Sequence, residues 1–111
     1  MYNFTIPSQL KAWVDRVIVA GKTFAYTESG AAGLAGRRMI VVITRGGIYS
    51  KSSPYASVEH AETYMQAAFG FLGVADIEFT VAGGIRVSPD QREAALTAAR
   101  TATEALKLNT A

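Results

Sequence analysis

The chain has 111 residues, half of them apolar, and eleven Lys and Arg against nine Asp and Glu give it a net charge of +2. One buried core is affordable on that composition and one domain, spanning residues 1–111, is expected. The basic residues are scattered apart from Arg37 and Arg38, which argues against nucleic acid or an anionic membrane as partner, and the lack of cysteine excludes disulfides, thiolate nucleophiles and thiolate metal sites.

The longest unbroken run of apolar side chains, residues 39–43, is far below the roughly 20 needed to span a bilayer. Met1, Tyr2, Asn3 and Phe4 carry no basic region leading into an apolar stretch, so no secretory signal is read there and a cytoplasmic location is expected.

Leu10, Trp13, Val14, Val17 and Ile18 recur at helical spacing, with Lys11, Asp15 and Arg16 elsewhere on the wheel. Pro7 suits the first turn of that helix and Gly21 its C-terminal cap. From residue 22 to residue 36 periodicity disappears. The small, Gly-rich stretch 29–36 reads as a flexible loop, because no apolar strand precedes its glycines and no helical pattern follows them, as a phosphate-binding loop would require.

Residues 39–43 form a continuous, partly β-branched run, the pattern of a strand covered on both faces in a parallel sheet. It ends at Thr44, Arg45, Gly46 and Gly47. An irregular stretch with Ser50, Ser52, Ser53 and Pro54 follows, and then Ala61, Tyr64, Met65, Ala68, Phe69 and Leu72 resume helical spacing until Gly73. Ile77, Phe79 and Val81 alternate with Glu78 and Thr80, the period of a strand with one solvated face, ended by Gly83 and Gly84. Ser88, Pro89 and Gln91 have the spacing of a capping box with proline at the first helical position. The helix they open carries a small core stripe of Ala95, Ala98, Ala99, Ala102 and Leu106.

The order helix, strand, helix, strand, helix predicts an α/β arrangement with parallel strands and right-handed crossovers. Two strands are too few for a stable sheet, and the apolar strand at 39–43 calls for neighbours on both sides. The chain reads as part of a larger sheet.

In an open parallel sheet, ligands bind beyond the carboxyl ends of the strands. Thr44, Arg45, Gly46 and Gly47 hold such a position. Adjacent glycines let backbone N–H groups approach a planar ligand, and Arg45 can place positive charge beside an anionic ring. Taken alone, a Gly-Gly turn after a strand is most often only a turn. His60, flanked by Glu59 and Glu62, reads as a solvated helix residue, and the acids show no metal-site spacing. Phe24 and Tyr26, or Tyr49 and Tyr55, are candidates to stack on a substrate or simply to pack.

Met1-Tyr2-Asn3-Phe4-Thr5-Ile6-Pro7 running into its helix resembles the Met-Tyr-Asn-Phe motif of the FMN-dependent NADH azoreductases, in the flavodoxin-like quinone reductase family. Lys22-Thr23-Phe24, Tyr26-Thr27-Glu28, Thr44-Arg45-Gly46-Gly47-Ile48-Tyr49 and Phe71-Leu72-Gly73-Val74 match later segments in the same order, so the resemblance covers essentially the whole chain. It implies a flavodoxin-like three-layer sandwich with a parallel sheet, of which this chain is the C-terminal portion, and a homodimer with one FMN per subunit. Met1, Tyr2, Asn3 and Phe4 would then line one side of the flavin ring, and Thr44, Arg45, Gly46 and Gly47 would hold its pyrimidine edge. Many relatives have Ser at position 44, where Thr keeps the hydroxyl.

The implied chemistry is hydride transfer from NADH to FMN and on to a quinone or an azo bond, with no metal and no side-chain nucleophile. The strand, Ser-rich loop and helix N-terminus with which family members hold the FMN phosphate have no counterpart in this sequence, so a truncated chain or a displaced gene start is expected. Two other functions stand beside it. One is a non-catalytic half-domain that mediates self-association or pairs with a separate front half. The other is an acyl-carrier-protein phosphodiesterase, against which the scattered acids argue.

Overall fold

The helix expected around residues 10–18 forms as α1, Ser8–Val17, in the computed structural model, which describes residues 1–28 and 30–106. Pro7 stands one place outside it as the N-cap, in extended conformation (φ −60°, ψ 151°). Val14 is the buried residue of α1, while Trp13 stacks on Phe69 with ring centroids 6.1 Å apart and stays half exposed. Gly21 has the left-handed φ expected of it (+78°), but in a turn beyond the helix end rather than as its cap.

The segment 22–36 is not simply a loop. β1, Ala25–Thr27, pairs antiparallel with β2, Gly30–Ala32, with Ala25 opposite Ala32 and Thr27 opposite Gly30. Ser29, part of the expected loop, lies outside the described residues. Gly33 is no flexible spacer either. A Cβ there would overlap the Thr23 carbonyl, and the N–H groups of Gly33 and Leu34 both donate to the Leu72 carbonyl at 3.2 and 2.8 Å. Glycine at this position lets two backbones touch.

β3, Arg38–Thr44, pairs with β4, Asp76–Ala82. The two run parallel, because Arg38 bridges Asp76 and Glu78 at one end while Arg45, just past β3, donates its N–H to the Ala82 carbonyl at the other. Burial on both faces of β3 is not found. Ile43 is buried, Met39, Ile40 and Val41 are half-buried, and Val42 is 66% exposed. Among the described residues no second strand flanks β3, so its apolar outer surface stays uncovered.

The face of β4 that packs is also the opposite of the one expected. Thr80 and Ala82 are buried, while Ile77, Phe79 and Val81 are half-buried. Small residues face inward here because α3, Pro89–Glu104, lies over them: Ile43, Thr80 and Ala82 line a cavity of about 350 Å³ together with Leu96, Ala99 and Thr103. Ala98 and Ala102, expected in the core stripe, are exposed, and no residue of α3 is fully buried. Ser88 caps α3, its hydroxyl accepting the Gln91 N–H at 3.1 Å. The other half of the capping box is not made, since Gln91 Nε2 donates instead to the Gly83 carbonyl at 3.3 Å.

α2, Glu62–Phe71, follows a short 3₁₀ turn, Ala56–Val58, and ends before Gly73, whose φ is +92°. Met65 and Phe69 are its core residues, and Leu72, just past its end, is fully buried. Two compact units result. The first, Met1–Ile40 with Val58–Glu78, has its core at Ile6, Val14, Phe24, Met65, Phe69 and Leu72; the second, Val41–Ser57 with the residues from Phe79 onward, buries Ile43, Arg45, Thr80 and Ala82.

Candidate functional site

Met1, Tyr2, Asn3 and Phe4 lie in the first unit. Tyr2 and Thr5 exchange both backbone bonds, Tyr2 N to Thr5 O at 2.9 Å and Thr5 N to Tyr2 O at 3.1 Å. The two residues between them are left-handed, Asn3 at φ 46° and Phe4 at φ 72°, which is the pattern of a type I′ turn. The turn leaves the rings of Tyr2 and Phe4 exposed. Beside it opens a cavity of about 710 Å³, lined by Tyr2, Asn3, Thr5, Pro7, Lys11 and Tyr64 among others. Lys11 donates to Asp15 at 2.6 Å, which holds its amine above the usual value, and it lies 5.8 Å from the centre of the Tyr64 ring.

The turn is tied to the segment ahead of α2. His60 N donates to the Phe4 carbonyl at 2.8 Å, and Thr5 Oγ1 donates to the His60 carbonyl at 3.0 Å. Glu59, 8% exposed, accepts on Oε1 from the N–H groups of Ala61 and Glu62, capping the start of the helix. His60 is solvent-exposed, as its flanking acids suggest, but it precedes α2 rather than lying in it, and it is its peptide groups that engage the turn. No side-chain pattern signals that role, because backbone groups carry it.

Thr44, Arg45, Gly46 and Gly47 lie in the second unit. Thr44 ends β3 with an exposed side chain. Arg45, expected to offer its charge to a ligand, is only 3% exposed. The backbone here extends the ladder beyond the strands: the carbonyls of Arg45, Gly46 and Gly47 accept from Ile85, Arg86 and Gly84 at 3.0, 3.0 and 2.8 Å. The N–H groups of Gly46 and Gly47 donate to no acceptor among the described residues. Neither glycine has positive φ; Gly84 opposite them does (+72°). What crowds them is side chains, since a Cβ on Gly46 would stand 3.0 Å from Arg86 Cδ and one on Gly47 3.1 Å from the Tyr49 ring.

Phe24, Tyr26 and Phe71 form an edge-to-face cluster, with centroids 5.3 Å apart for Phe24 and Tyr26 and 5.2 Å for Phe24 and Phe71. Phe24 is buried, whereas Tyr26 and Phe71 turn exposed faces outward. Tyr49 and Tyr55 make a looser pair at 6.4 Å. Among the described residues no three His, Asp or Glu side chains gather where they could hold a metal.

A family model described as a flavodoxin-like fold matches residues 1–106. The chain belongs to this flavodoxin-like family. Within it, the FMN-dependent NADH:quinone oxidoreductase 2 of Bradyrhizobium diazoefficiens is 57% identical over 108 residues, covering 96% of this chain and 54% of the relative. The FMN-dependent NADH:quinone oxidoreductase of Xanthomonas campestris pv. campestris is 55% identical, covering 96% and 53%. Among solved structures, an FMN-dependent NADH-azoreductase from Bacillus anthracis in complex with FMN superposes with a TM-score of 0.75 at 38% identity, over 94% of this chain and 51% of that one. The chain spans about half the length of the curated relatives it matches. The flavodoxin-like α/β class expected from the sequence is thereby established for this portion.

Proposed function

We propose that this chain is the ring-contacting portion of an FMN-dependent NADH:quinone oxidoreductase or azoreductase. The observation that carries the reading is the turn at Gly46 and Gly47: its carbonyls are engaged by residues 84–86 while its N–H groups meet no protein acceptor among the described residues. Donors with no Cβ in front of them, beyond the carboxyl end of a parallel strand, suit the heteroatom edge of a flavin. Met1, Tyr2, Asn3 and Phe4 would supply the second set of ring contacts, through the peptide groups and exposed rings of their tight turn.

FMN, when bound, supplies the chemistry of accepting hydride from NADH and passing two electrons to a quinone or azo acceptor. The chain's part is to bind and orient the ring. The N–H groups of Gly46 and Gly47 would favour negative charge on the ring edge they meet, and Thr44 keeps a hydroxyl beside them. Arg45, buried, would act on the site by holding its backbone in the extended ladder and not by direct contact. The exposed rings of Tyr26 and Phe71, set edge to face with centroids 6.4 Å apart, would offer apolar contacts to an aromatic acceptor.

The homodimer and the cytoplasmic location are parts of the same proposal; no helix among the described residues is long and apolar enough to cross a membrane. A second reading, a half-domain whose role is association, draws on one observation, the uncovered outer side of β3. A flavin titration separates the two. Quenching of FMN fluorescence on adding the chain, shifted to higher chain concentrations in the Gly46→Val variant, is expected from the first. No change in flavin emission at any chain concentration favours the second.

A further inference from the structure

Asn3 and Phe4 are the non-glycine residues with positive φ among those described. Asparagine visits that region readily, but a left-handed phenylalanine is an outlier that its surroundings must impose. The exchanged bonds between Tyr2 and Thr5 are common to every two-residue turn and do not choose its hand. Two bonds that leave the turn bear on it: His60 N to the Phe4 carbonyl, and Thr5 Oγ1 to the His60 carbonyl. Both end on the peptide groups of one residue, and that residue lies between Glu59 and the head of α2, where the buried Glu59 carboxylate accepts from the N–H groups of Ala61 and Glu62. Of these contacts, the one made by a side chain of the turn itself is the Thr5 hydroxyl.

We propose that Thr5 is a positioning residue, a latch whose hydroxyl holds Asn3 and Phe4 left-handed and so fixes the pose in which Tyr2 and Phe4 meet the flavin. The part about flavin rests on the function proposed above; the part about the turn does not. Without the hydroxyl, one of the two ties to His60 is gone, and Phe4 can relax towards the extended region that its side chain prefers. Valine keeps the shape of threonine and removes the donor, whereas serine keeps the donor.

The test compares the unaltered 111-residue chain with Thr5→Val and Thr5→Ser, each isotope-labelled, by NMR without flavin and then by FMN fluorescence titration. A strong intraresidue HN–Hα contact at Asn3 and Phe4, the mark of positive φ, is expected in the unaltered and Thr5→Ser chains and not in Thr5→Val. The FMN dissociation constant should rise about fivefold in Thr5→Val and return towards the original in Thr5→Ser, as the loss and recovery of one hydrogen bond would give. A left-handed turn that persists in Thr5→Val overturns the latch. No flavin response in any chain, with the turn lost only in Thr5→Val, contradicts the cofactor and upholds the latch. Should Thr5→Val fail to fold, hydrogen exchange on the unaltered chain decides: the His60 amide must be protected, and exchange at the rate of an open chain overturns the proposal.

Discussion

At Gly46 the absence of a side chain does something other than free the backbone. Its φ is not positive, and the space a Cβ would take is bordered by the side chain of Arg86, which is exposed and flexible. Gly46→Ala should therefore fold normally. Gly46→Val places bulk beside the N–H groups that would meet the flavin, and its FMN affinity should fall by about tenfold, or about 1.4 kcal/mol, in a fluorescence titration. Unchanged affinity in a folded Gly46→Val chain would remove the turn from the site. The position of this turn was legible in the sequence because an apolar run followed by Gly-Gly marks a strand's end. The burial of Arg45 was not, because it depends on the ladder continuing past β3 to Ala82 and Ile85, a pairing between residues far apart in the chain.

Elements show the same division. The long ones are readable: α1, α2, α3 and β4 repeat often enough for a period to emerge, and β3 shows as an unbroken apolar run. The hairpin of β1 and β2 was not, since three-residue strands cannot display alternation. The packed face of β4 does not follow from its alternation for a different reason: it is chosen by α3, whose small residues come close to Thr80 and Ala82 and leave the larger Ile77, Phe79 and Val81 on the other side. Two substitutions check these elements. Gly33→Ala drives a methyl group into the Thr23 carbonyl and should cost about 2 kcal/mol or more, seen as a lower midpoint in urea; an unchanged midpoint would mean that the hairpin does not approach Thr23 as closely. Ser88→Ala removes the cap of α3 and should cost about 1 kcal/mol in the same measurement.

On the scale of the whole molecule, β3 has one strand beside it among the described residues and an exposed Val42 at its centre. A strand with an open apolar side recruits another. In size-exclusion chromatography with light scattering the chain should run as a dimer or larger, and a stable 11.8 kDa monomer would show that the open side is tolerated. The contacts proposed for this chain reach the flavin ring and include no charge-assisted bond to the phosphate, each worth roughly 1.5 to 3 kcal/mol, so binding by this chain should be weak. The decisive experiment joins the part of the Bradyrhizobium diazoefficiens relative that lies outside the match to the front of this chain and measures NADH oxidation with a quinone at several fixed concentrations. The chimera should carry FMN and give parallel lines in double-reciprocal plots, with its FMN affinity about tenfold lower in Gly46→Val. A folded chimera that holds no flavin, or whose lines intersect, would contradict the assignment.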